Sequence, residues 1–273
     1  MQLAKDTIPT RAKFLTVFGH RQRGLVFRGQ SDAEKPLVPS FQRHIPDPND
    51  PVRVEKFECA VLRQFQRHAP TLLSPAIVSR LRYRVDWWAI MQHYNVPTRL
   101  LDWTYSAFVA AYFAVSGEPK SKGAIWTIDV ELARRAIGIP STPEDIERDC
   151  WDRDVRVIHF PELSIETDRM WAQQTVFSVA TRVMEEDHER MLASLLHSVP
   201  DDPARPLAFA KYTIPAEAKR EFRDNLRQMN ITPASLFPGI DGFGRSVAEF
   251  AYDRFQADEA VEGRTDEGAP PIR

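Results

Sequence analysis

Apolar residues recur at helical spacing over several stretches of the chain and alternate or cluster at strand spacing over others. Ala12 to Phe18 reads as a short helix broken at Gly19, followed by a strand at Leu25-Val26-Phe27 that delivers Arg28 and Gly29 to its end. A Pro- and Asp-rich loop runs from Gln30 to Asp50. Pro51 then suits the first turn of a helix whose Val54, Phe57, Val61 and Phe65 turn one stripe inward. A second helical stretch is expected from Pro70 to Arg84. A third is expected to be capped by Asp86, to start at Trp87 and to stop near Tyr94, because Pro97 forces Val96 out of the α region.

Thr98 to Thr104 reads as a polar turn, and the run from Ser106 to Val115 as a buried apolar helix. Gly117 to Gly123 is expected to turn into a core strand at Ala124 to Val130. Further strands are expected at Val155–Phe160, Thr175–Thr181 and Leu207–Ile214. Glu185 to His197 has the pattern of an exposed amphipathic helix, with His188 and His197 on its solvated face. Helices at Ala216–Met229 and Gly244–Phe255 close the pattern. The result is an α+β fold: a single domain over residues 1–256, with a central mixed sheet of about five strands packed by N-terminal and C-terminal helices. Residues 257–273, rich in Glu, Asp, Gly and Pro, are expected to form a disordered acidic tail.

Composition narrows the chemistry. A chain of 273 residues with 43% apolar residues and 16 Phe can build a sizeable core. Cys59 and Cys150 make no disulfide framework and no CxxC zinc pair, and no stretch has the length and apolarity of a membrane span, so a cytoplasmic protein is expected. Residues 1–100 carry 16 Lys+Arg against 8 Asp+Glu, a net +8. The remainder carries 20 against 30, a net −10. An Arg-rich first part suits phosphate groups of a nucleotide or a nucleic acid, because guanidinium offers bidentate donors. Solvated surface charge is the alternative. The sequence holds no GxxxxGK[ST], HExxH or GxSxG motif, and Gly242-Phe243-Gly244 lacks the third glycine of a dinucleotide fingerprint. No metal site is expected.

Functional side chains concentrate in two segments. In Phe27-Arg28-Gly29-Gln30 an arginine stands beside a glycine that admits a ligand or another backbone closely. The second runs from Gln92 to Thr104. There His93 and Tyr94 end a helix whose dipole favours an imidazolium, and Arg99 and Asp102 are spaced to form a buried ion pair that locks the turn.

Phe27-Arg28-Gly29-Gln30, Pro39-Ser40, Gln92-His93-Tyr94 and Pro97 through Thr104 together resemble the FRG-domain family. Weaker similarity runs through Arg169–Phe177 and Ser235–Gly242, so the resemblance spans about residues 20–250. Asn95 and Thr175 stand where that family often has glycine. Two functional readings follow from the resemblance. In one, an ADP-ribosyltransferase-like enzyme, with a defence or toxin role, uses NAD as substrate. Its catalytic group would draw on Arg28, His93, Tyr94 and Gln173, with substrate binding by Gly29, Gln30, Gln92, Thr98, Arg99, Asp102 and Arg169. Such enzymes also need a carboxylate on a later strand. Glu162 and Glu166 are candidates, and Gln173 stands near that position with an amide instead. In the other reading, the domain binds a nucleotide or nucleic acid without turnover, as a sensor or interaction module.

Overall fold

A computed structural model of the chain describes residues 4–19, 24–45, 50–117, 119–138, 141–150, 152, 155–182, 188–197 and 208–266. Its frame is one seven-stranded sheet: β1 (Ala4–Thr7), β2 (Leu25–Gln30), β3 (Leu100–Thr104), β4 (Gly123–Asp129), β5 (Ile158–His159), β6 (Thr175–Ala180) and β7 (Phe209–Ile214). The order across the sheet is β1-β7-β4-β2-β3-β6-β5. Only β1 and β7 pair in parallel, and all other neighbours are antiparallel. The fold is the expected α+β class with a mixed sheet.

Two strands exceed the expectation. One is β1 at the edge, and the other is β3, which occupies the segment read as a turn. In β3, Leu101 and Trp103 join one core cluster while Leu100 joins another. Period-two alternation is therefore present, and Asp102 in its middle disguises it.

One face of the sheet carries α6 (Ala107–Val115), capped by Ser106, together with α1 (Arg11–Phe18) and α11 (Lys219–Gln228). Gly29 and Gly123 let α6 lie against the strands. A Cβ on Gly29 would meet the Ala110 carbonyl oxygen, with the Ala114 nitrogen at 2.7 Å, and one on Gly123 would meet the Ala114 carbonyl oxygen. Elsewhere α3 (Pro51–His68) and α5 (Arg84–His93) enclose a cluster containing Trp88, Met91, Leu100 and Val179. On the other face α7 (Val130–Ile137) and α10 (His188–His197) cover Val26, Trp103, Trp126 and Phe209.

Several local expectations change. The stretch from Pro70 to Arg84 is not one helix: only α4 (Pro75–Val78) and a single 3-10 turn at Ala69–Thr71 form, because Pro75 cannot donate into a continuing helix. The next helix, α5, begins at Arg84, a turn earlier than expected. Asp86 serves it from within by accepting the Tyr83 and Arg82 backbone N–H groups. Strand β2 continues to Gln30, so Arg28 and Gly29 lie inside the strand and not beyond it. The loop after it holds α2 (Ser40–His44).

In α10, Leu192 and Leu196 are fully buried and His188 is 2% exposed, so this helix belongs to the core and His188 does not face solvent. The Glu185–Asp187 run lies outside the described residues. The remaining helices are α8 (Pro143–Asp149), α9 (Asp168–Gln173), α12 (Pro233–Leu236) and α13 (Ile240–Asp266), which runs past residue 256 into the segment expected as tail. Residues 267–273 of that tail lie outside the described residues. No described helix is long and apolar enough to cross a membrane.

Candidate functional site

The centre of the sheet contains a break in its ladder. Strand β2 pairs with β4 from Leu25↔Asp129 to Gln30↔Ala124, and β3 pairs with β6 from Leu100↔Val179 to Thr104↔Thr175. Between β2 and β3 there is a single pair, Phe27↔Thr104, and beyond it Arg28 to Gln30 face β3 without ladder bonds. Arg28 bridges that opening: its Nη1 donates to the Asp102 carbonyl oxygen at 2.7 Å and lies 3.9 Å from the Asp102 carboxylate.

The Arg28 side chain is 17% exposed, and its Nε is buried with no hydrogen-bond partner. Burial lowers its pKa to about 10, with Asp102 opposing the shift and Arg43 adding to it. Beside it His188 is pushed down to about 3 by burial and by Arg28, and the His188 Nε2 is likewise buried without a partner.

Asp102 projects a half-exposed carboxylate into the opening. A second guanidinium, that of Arg169 on α9, also acts on it. Burial lowers the Arg169 pKa against the opposing attraction of Asp102. Arg169 donates to the His93 carbonyl oxygen at 2.8 Å and lies 4.8 Å over the Phe237 ring, where Arg245 of α13 also lies, at 4.7 Å. Phe113 of α6 packs edge-on against the same Phe237. A chain of charged and aromatic groups thus runs from Arg28 through the Asp102 carboxylate and Arg169 to Phe237 and Arg245.

His93 is tied to this chain. Its Nδ1 lies 3.2 Å from Thr167 Oγ1 and its ring is half-buried. The helix dipole was expected to favour its imidazolium, but burial and then Arg169 lower its pKa, so the ring is held neutral. Tyr94 stacks edge-on against His93 at 4.7 Å but is half-exposed and lines a different hollow, an apolar groove of about 910 Å³ with Phe57, Val61, Phe65, Leu72 and Val96. Gln173, at the end of α9 and not on a strand, donates its amide to the Leu236 carbonyl oxygen at 3.0 Å, and its main-chain oxygen accepts from Thr104 Oγ1.

Other members of the two segments brace the site. Thr98 donates to Gln92 Oε1, while its backbone N–H bonds Ser40 Oγ and its carbonyl accepts from the Phe41 N–H, which fastens α2 to the start of β3. Gln30 accepts from the Trp126 indole and donates to the Pro36 carbonyl oxygen at 3.3 Å. Gly29 serves the close approach of α6, a backbone and not a ligand.

Arg99 does not pair with Asp102. Its Nε donates to Glu58 Oε1 at 2.7 Å and its Nη2 to the other Glu58 oxygen, and it lies 5.0 Å over Trp88. Arg99 stands just before β3 and Asp102 in its middle, so the extended backbone between them sends the two side chains apart, whereas the same spacing in a turn would have brought them together. Burial alone would lower the Arg99 pKa, but the Glu58 charge holds it above its ordinary value. Glu58 carried a signal in the sequence: it lies four residues after Val54 and three before Val61 on an apolar stripe, a position that demands a buried cation. Phe237 falls in the Ser235–Gly242 stretch of weaker family similarity, whereas Arg245 and His188 carried no signal, since each reaches the site from a distant element. Glu162, one of the candidate carboxylates, is exposed and bridges Arg134 at 3.4 Å in a separate cavity. No group of His, Cys, Asp and Glu suited to a metal ion occurs among the described residues.

Residues 23–123 match the family model of the FRG domain, a span that holds β2, β3 and α6 and ends on the first residue of β4. The Arg169–Phe177 and Ser235–Gly242 segments lie outside the matched span. No curated protein and no solved structure matches the chain.

Proposed function

The chain carries an FRG domain, and from the opening that this domain frames between β2 and β3 we propose that the protein binds a nucleotide, with NAD as the sharpest form of that reading. The observation that carries it is Arg28: a partly buried guanidinium whose buried Nε has no partner, set in a break of the central sheet. Guanidinium groups engage phosphate oxygens through paired donors, and Arg28 and Arg169 both flank the opening. Phe237 and Phe113 add aromatic surface beside them.

In the transferase version the bond between nicotinamide and ribose breaks, and nicotinamide leaves with the electron pair. An acceptor nucleophile then bonds the ribose carbon and loses its proton. A carboxylate must offset the developing positive charge of the ribose. Asp102 is the carboxylate beside Arg28 and takes that role.

The second reading is binding without turnover, of a nucleotide or of nucleic acid drawn by the net positive first hundred residues. It is favoured by the engagement of the Gln173 amide with Leu236 and by the two arginines that already act on Asp102. A defence or toxin role belongs to the transferase version: growth arrest on expression would then be relieved by Arg28→Ala.

Incubation of the full chain with labelled NAD separates the readings. Binding with release of nicotinamide supports the transferase. Binding without release supports the sensor. Absence of binding to NAD, to other nucleotides and to single- and double-stranded nucleic acid overturns both.

A further inference from the structure

Away from the β2–β3 opening, a second set of reactive side chains comes together. His159 lies on β5 at the end of the sheet and is fully buried, and the buried Asp149 ends α8. Asp149 Oδ2 is 3.0 Å from His159 Nε2, while Arg148 Nε donates to the other carboxylate oxygen at 2.9 Å. On the opposite edge of the ring, His159 Nδ1 is 3.3 Å from Ser141 Oγ. In the tautomer that places the proton on Nε2, the imidazole donates to Asp149 and turns a lone pair toward the serine hydroxyl. Burial holds the His159 pKa below its ordinary value in spite of Asp149, which keeps the ring in its basic form.

Ser141 is half-buried and lines a cavity of about 720 Å³. Arg80, Arg82 and Arg134 line the same cavity, with Tyr83 and Phe160. Arg134 is engaged by Glu162 and the Phe160 carbonyl oxygen, whereas Arg80 and Arg82 are exposed at the rim. Nucleophile, base and orienting carboxylate recur on unrelated folds and are recognised by geometry, so the absence of a GxSxG motif does not count against the set.

We propose that Ser141 and His159, with Asp149 as positioning residue, form a second site that hydrolyses a carboxylic ester bearing an anionic group. Ser141 Oγ bonds the ester carbon as His159 Nδ1 takes its proton. The carbon–oxygen bond to the alcohol then breaks, and the alcohol leaves with that proton. Water next gives its proton to His159, bonds the acyl carbon and releases the acid, and Ser141 recovers its hydrogen. Arg80 and Arg82 hold the anionic group of the substrate. The site is independent of the proposed nucleotide site and shares no residue with it.

The test uses the full chain, a fluorophosphonate probe, and two esters: 4-nitrophenyl acetate and mono-4-nitrophenyl succinate. One phosphonyl adduct is expected, mapped to Ser141, with the succinate ester hydrolysed at the higher kcat/KM. Ser141→Ala should keep its thermal unfolding transition, lose the adduct and lose about 10³-fold or more of the rate. Asp149→Asn should lower kcat with KM little changed. Arg80→Ala with Arg82→Ala should raise KM for the succinate ester alone. Absence of an adduct on Ser141 in the folded protein, or equal hydrolysis by Ser141→Ala, overturns the proposal and leaves the triad as a strut between α8 and β5. Preference for the neutral ester overturns the assigned substrate class.

Discussion

Arg28 Nη1 donates to the main-chain oxygen of Asp102 at 2.7 Å, so a side chain spans the place where β2 and β3 have no ladder bond. The same guanidinium is the proposed phosphate clamp, so its replacement has two separable effects. Arg28→Ala is expected to cost about 2 kcal/mol of stability, in the range for a hydrogen bond to a charged group. It should also weaken nucleotide binding by about tenfold or more. Arg28→Lys keeps the charge without the fork and should recover stability more than affinity. Urea unfolding and equilibrium titration on the same variants check both, and unchanged affinity in folded Arg28→Ala removes Arg28 from the site.

The Arg99–Glu58 pair is buried on both sides, at 8% side-chain exposure each. Arg99→Met or Glu58→Gln alone strands the partner and should destabilise by about 3–5 kcal/mol. The double replacement should cost much less than the sum. Denaturation of the four species closes the cycle, and additivity within ~0.5 kcal/mol would show that the pair is not coupled.

Gly29→Ala places a methyl against the α6 backbone near Ala110 and Ala114. Neither strand nor helix can yield easily, so a cost of about 1–3 kcal/mol or more is expected. It would read as a lower urea midpoint with an unchanged slope. Gly138, where an added Cβ meets nothing within 4 Å, has a φ of +70° and serves as the contrast: Gly138→Asn, a residue that tolerates that φ, should be nearly neutral.

His188 makes stability pH-dependent in a stated direction. Its folded pKa is about 3, below the ordinary imidazole value of about 6.5, because burial and Arg28 disfavour the charged ring. Below pH ~6.5 the unfolded chain binds a proton that the folded chain refuses, so stability falls as pH drops toward 3. The slope approaches about 1.4 kcal/mol per pH unit for this group. His93 and His159 shift in the same direction and add to it. His188→Gln should flatten the profile between pH 4 and 6, and an unaltered slope would exclude His188 as its source.

Much of the architecture is legible in the periodicity of the sequence. The stripe Val54, Phe57, Val61, Phe65, the run Ala107–Val115 and the clusters at β4, β6 and β7 are local patterns, and local patterns survive folding. β3 escaped because its alternation is short and its polar position, Asp102, suits a turn as well as a strand; the groups Asp102 meets lie on β2 and α9. Between Pro70 and Arg84 the opposite holds: helix-compatible residues continue across Pro75, where the backbone hydrogen bonding cannot, and the only α-helix to form is α4.

The two segments at Arg28 and at Gln92–Thr104 were identified from the sequence alone, and so was the FRG resemblance they carry. Tertiary structure decided how the roles divide. Arg28 and Asp102 meet across a break in the sheet, Arg99 turns to Glu58, Tyr94 lines another groove, and Phe237 and Arg245 arrive from the far end of the chain. The physical reason is that side-chain direction in a strand depends on pairing and register, and burial depends on which distant helix covers the face. Neither is encoded within the short window of residues that carries a motif.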